Sequence, residues 1–86
     1  MKHAGPDALS RLAATLAGLR ALPDLREKGP GVFYRRSKAF LHFHDDPTGL
    51  YADVRAVDQT GFDRFKIVES DQAAFVARVA ARLRQP

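Results

Sequence analysis

The apolar residues of this chain change their period at Gly29-Pro30-Gly31. Upstream, Leu9, Leu12, Ala13, Leu16 and Leu19 recur three and four residues apart, the single stripe of an amphipathic helix. Downstream, Lys38 to His44 alternates, with Ala39, Leu41 and Phe43 on one side and Lys38, Phe40, His42 and His44 on the other, the period of a strand. A proline between two glycines sustains neither period, because one lacks the N–H and the other the backbone restraint. Helix and strand must therefore share one core, since 86 residues leave room for a single domain, here spanning 1–86.

The remaining elements follow from local signals. Met1 to Pro6 reads as a frayed start, and Asp7 as the N-cap of a first helix that Pro23 ends near Leu22. Leu22 and Leu25 are placed to cover one end of the core. Strands are expected over Val32–Arg36, Lys38–His44, Leu50–Val54 and Arg64–Val68. Arg36-Ser37 makes a tight turn between the first two, and Asp45-Asp46-Pro47-Thr48-Gly49 a loop with turn chemistry throughout. Ser70 is the expected cap of a last helix with Phe75, Val76, Val79, Ala80 and Leu83 on its apolar face. The order is α-β-β-β-(β)-α, an α+β two-layer sandwich with an antiparallel sheet and both helices on one face. Ala39, Leu41, Phe43, Leu50, Ala52, Val54, Phe65 and Ile67 form its inner sheet face.

Several function classes drop out. The chain has no cysteine, so disulfides, thiolate catalysis and Cys-based zinc sites are excluded. The most apolar stretch, Ala8 to Leu22, carries Arg11 and Arg20 and is neither a signal segment nor a membrane span, which points to a cytoplasmic protein without a membrane partner. No hydroxyl sits in a nucleophile elbow, and Gly29-Pro30-Gly31 lacks the spacing and lysine of a phosphate loop. Catalytic residues and cofactors are accordingly not assigned.

Two chemistries remain, both on the outer sheet face. Lys38, Phe40, His42, His44, Tyr51, Asp53, Arg55, Arg64 and Lys66 gather there, joined by Phe33 and Arg35 or by Tyr34 and Arg36 from the first strand. Aromatics that stack bases beside cations that neutralise phosphates suit a nucleic acid or another polyanion. The same aromatic patch suits a homodimer, and the net charge of +4 serves solubility as well as polyanion binding. Alternatively, His42 and His44, two apart on a strand, point the same way and are the candidate metal ligands, with Asp53 on the next strand or Asp45 and Asp46 completing the shell. The third histidine, His3, falls in the frayed start.

The segment Val32-Phe33-Tyr34-Arg35-Arg36-Ser37-Lys38-Ala39-Phe40-Leu41, continuing through Gly49-Leu50-Tyr51-Ala52-Asp53-Val54, resembles the central strands of the MmcQ/YjbR-like proteins, in which a strand leads into a K-x-F strand and then a G-L strand. The resemblance covers about the middle third of the chain. It implies a CyaY-like α-β-α sandwich, a small bacterial family and DNA binding. The His-Trp pair of that family has no counterpart here, because the chain has no tryptophan. The leading expectation is a small binding or interaction domain working through the basic-aromatic face. The alternative is a small-ligand or metal-dependent enzyme using His42, His44 and Asp53.

Overall fold

A computed structural model describes residues 2–85. It is an α+β sandwich: an antiparallel sheet with its helices on one face. The elements run β1 (Lys2–His3), α1 (Pro6–Arg11), α2 (Ala13–Arg20), β2 (Arg26–Gly29), β3 (Val32–Arg35), β4 (Lys38–Asp46), β5 (Gly49–Arg55), β6 (Phe62–Lys66), a 3₁₀ turn (Glu69–Asp71) and α3 (Gln72–Leu83). Strands β2 to β6 lie side by side in chain order, and β1 pairs with β4 beyond the end of β3. Among the described residues no helix is long and apolar enough to cross a membrane.

The sheet begins and ends differently from the sequence expectation. Lys2 and His3 are not frayed: they pair with Asp45 and His44 of β4, and Ala4 N–H donates to the Phe43 carbonyl at 3.1 Å. Met1 lies outside the described residues. Arg26–Gly29, which carries no alternating apolar residue, is a strand because Glu27 and Gly29 pair with Phe33 and Val32 across the Pro30-Gly31 turn. Arg36 and Ser37 do form the two-residue hairpin turn, with φ of 54° and 79°, the doubly positive pattern whose twist suits paired strands.

Strand β4 carries a bulge. Phe33 pairs with Leu41 and Tyr34 with Ala39, so Phe40 is an extra residue on its strand. The bulge breaks the alternation. Phe40 and Leu41 are both buried in the core, and Phe40 is thereby removed from the outer face on which the sequence period placed it. Ala39, expected inside, is half-buried and outside the core for the same reason.

The helical layer packs Leu12, Leu16, Leu19, Phe75, Val79 and Leu83 onto the inner sheet face. Phe75 stacks edge-on to Phe43 and tilted against Phe65, with centroids 6.5 and 6.2 Å away. The first helix is broken at Leu12, whose N–H bonds to the Leu9 carbonyl three residues back. The cause lies in the neighbouring helix. The Gln72 amide donates to the Arg11 carbonyl at 2.9 Å and accepts from Thr15 N–H at 2.8 Å, so it stands in for the main-chain bond that would join Arg11 to Thr15. Gln72 also opens α3: Ser70 sits in the 3₁₀ turn and does not cap it, and Asp71 takes the N-cap position. Gly5, with no side-chain cap bond, takes the N-cap position expected of Asp7.

α2 and α3 touch at Gly18, where an added Cβ would lie 2.8 and 2.9 Å from the two methyls of Val76. Glycine to alanine inside a helix ordinarily stabilises by about 1 kcal/mol. Here Gly18→Ala is expected instead to lower the melting temperature, because the β-branched Val76 has little rotamer freedom to yield. Val76→Ala in the same chain should restore it, and additive losses in the double variant would show that the helices do not meet there.

Candidate metal centre

The outer sheet face is built from the alternation of β4 and its register with three neighbours. Leu41 and Phe43 turn inward, so His42 and His44 turn outward. On one row His42 pairs with Asp53, and Asp53 with Arg64. On the next, His3 pairs with His44, His44 with Tyr51, and Tyr51 with Lys66. Three histidines, one carboxylate and one guanidinium thus meet over four strands.

Asp53 is the hub. Its Oδ2 lies 2.9 Å from His44 Nε2, 3.5 Å from His42 Nε2 and 3.0 Å from Arg64 Nη2, while its Oδ1 accepts from Arg64 Nε at 2.8 Å. The residue is only 8% exposed although it sits on the outer face, because these side chains cover it. Arg64 holds the Asp53 carboxyl below the usual carboxylate range, against the opposing effect of burial and with help from His44. Burial lowers the pKa of His42, and the neighbouring His44 adds to this against the pull of Asp53.

The imidazoles also pack on one another. The His42 and His44 centroids are 4.9 Å apart, and the His3 ring lies 5.6 and 5.2 Å from them. Phe62 meets His42 edge-on at 5.2 Å, with the Arg55 guanidinium 4.8 Å from its ring. His44 Nδ1 is buried and has no hydrogen-bond partner among the described residues.

The structure therefore brings His42, His44 and Asp53 together, with one donor atom from each within 4.8 Å of the others. Asp45 and Asp46 are not in this group: Asp46 is occupied by the Thr48 N–H and hydroxyl in the turn. Tyr51 shares the face, its hydroxyl bonded to that of Thr48 at 2.7 Å. Lys38 and Arg55 lie at the other end of β4 and β5, where Arg55 Nε donates to the Ala39 carbonyl at 2.7 Å. Phe40 is in the core. Sequence reasoning missed His3, since a two-residue strand has no period to detect, and Phe62, which falls before the expected start of its strand. No protein-family model, curated protein or solved structure matches this chain.

Proposed function

We propose that the protein is a small metal-binding domain that takes a divalent transition metal of the zinc type on His42, His44 and Asp53. The convergence of two imidazole Nε2 atoms on a single carboxylate oxygen carries this reading. Ligand bonds of about 2.0–2.1 Å in a tetrahedron set donor atoms about 3.4 Å apart, and the two separations at Asp53 Oδ2 are 3.5 and 2.9 Å. Arg64 retains Oδ1 and would fix the carboxylate from behind, as outer-shell partners of metal ligands do. The Arg64 side chain is half-exposed, so its second bond, to Oδ2, can open toward water. Imidazole must be neutral to ligate, and the lowered pKa of His42 keeps it so at neutral pH.

The competing reading, an aromatic platform for nucleic acid or for a second copy of the chain, is left with fewer aromatics. Phe40 is inside, the Tyr51 hydroxyl is tied to Thr48, and Phe62 is flanked by Arg55 and His42.

Zinc titration followed by imidazole resonances and by calorimetry tests the proposal. One equivalent should saturate the site and move the His42 and His44 signals. At a hundredfold excess over Kd the native state gains about 2.7 kcal/mol. His42→Ala and His44→Ala should each abolish saturation, and acidification below about pH 6 should weaken it as the ligands take up protons. Zinc binding that survives both substitutions, or the absence of any saturable response, would refute it.

A further inference from the structure

Four of the fourteen Lys and Arg residues are ion-paired, and four of the others share one cleft. Arg11, Arg20, Arg64 and Arg82 each have a carboxylate within 4.0 Å. Arg35, Arg36, Lys38 and Arg55 have none among the described residues, and all four line one cleft of about 350 Å³. The cleft lies between the β3–β4 turn, the β5–β6 connection and Gln85, two residues past α3, and no acidic residue lines it among the described residues. Its remaining walls are Ala39, Phe40, Val57, Gln59 and Gln85. The volume is at the lower end of the range of small-molecule sites.

We propose that this cleft binds a small organic anion, an aryl phosphate or aryl carboxylate, with its anionic group between the guanidinium groups and its ring against Val57, which is 50% exposed. Four like charges brought together without counter-charges repel one another, and an anion relieves that repulsion. Two of the guanidinium groups are already held in place. Arg35 donates through Nη2 to the Leu83 carbonyl at 3.0 Å, and its Nε is buried without a partner. Arg55 donates through Nε to Ala39, and its two terminal nitrogens make no hydrogen bond among the described residues. Guanidinium groups fixed before the ligand arrives lose little side-chain freedom on binding, and their fork matches carboxylate and phosphate oxygens. The exposed Val57 explains why the ligand needs a ring: inorganic phosphate would engage the cations and leave that side chain wet.

The cleft shares no residue with the His42–His44–Asp53 centre, so the two proposals fail independently. The test is a titration of the full chain, without added metal, by phenyl phosphate, benzoate and inorganic phosphate, followed by backbone amide resonances. Phenyl phosphate or benzoate should shift Ala39, Phe40 and Val57 saturably, at least about fivefold more tightly than inorganic phosphate, a difference near 1 kcal/mol. Arg36→Gln with Lys38→Gln, both exposed at or beside the β3–β4 turn, should weaken binding about tenfold with the melting temperature unchanged, whereas Lys66→Gln on the outer face should not alter it. No saturable shift at about 10 mM of either aryl anion, well above the millimolar limit of weak specific sites, would overturn the proposal. Tighter binding of single-stranded oligothymidylate that Lys66→Gln weakens as much as Lys38→Gln would also overturn it, since the cations would then serve a nucleic-acid surface.

Discussion

Phe43→Ala is expected to lower folding stability by about 3–5 kcal/mol, the cost of removing a buried phenyl ring and leaving a cavity. A chain of 86 residues has a total stability on the order of 4–13 kcal/mol at the usual per-residue value, so the variant loses a large part of it. Phe43 is 2% exposed, faces the Phe75 ring, and lies within 3.4 Å of where a Cβ on Gly31 would stand. That glycine has a φ of 74° in the β2–β3 turn, so the ring is clamped between the last helix and a turn that cannot relax toward it. Phe43 also stands between His42 and His44. Its burial fixes which face of β4 is outward and hence where both imidazoles point. Urea unfolding should show a large fall in midpoint with little change in slope. Phe43→Leu, which fills most of the space, should lose less than half as much. A midpoint unchanged in Phe43→Ala would mean that β4 does not pack on α3 through this residue.

Asp53→Asn is expected to destabilise the protein at neutral pH by about 1–3 kcal/mol, toward the lower end because Arg64 is half-exposed and recovers water. The same carboxylate governs the response to acid. Arg64 lowers its folded-state pKa, so its contribution is fully present above the unfolded value of about 3.9 and is lost as pH falls through the lower folded value. His42 acts in the same direction at higher pH. Burial lowers its folded pKa below about 6.5, so the unfolded chain takes up the proton first and stability falls as pH drops from there toward the folded value. Denaturation followed from pH 8 to pH 2 should therefore show two successive losses. His42→Gln should remove the upper one and Asp53→Asn should shrink the lower, to which Glu27, Asp46, Asp58 and Glu69, also lowered in the fold, contribute. Because Asp53 favours the charged form of His42, Asp53→Asn should also widen the upper loss. A single acid transition unaltered by either substitution would contradict this coupling.

The candidate site was legible in the sequence to the extent that it depends on period two. Alternation along Lys38–His44 and Leu50–Val54 already placed His42, His44 and Asp53 on one face, because side chains on adjacent antiparallel strands must share faces once register is set by the buried Leu41, Phe43, Ala52 and Val54. Helical spacing likewise marked Leu12, Leu16 and Leu19 for burial, and Phe75, Val79 and Leu83 opposite them.

Tertiary structure decided what no local period records. The bulge at Phe40 follows from how β3 and β4 fit the core: one extra residue carries a phenyl ring inward and takes from the outer face its most conspicuous aromatic. The break at Leu12 follows from Gln72, sixty residues further on, whose amide replaces a main-chain bond that helix propensity alone would have kept. His3 joins the cluster because β1 finds an open edge of β4 beyond the end of β3, a vacancy that exists only once the sheet is assembled. The sequence by itself determined two helical stripes, a meander and the face that carries the chemistry, since these rest on periodicity and short connections. The fold alone assembled Arg35, Arg36, Lys38 and Arg55 around one cleft, because they come from both sides of a hairpin and from the far end of β5, and only packing brings those ends together.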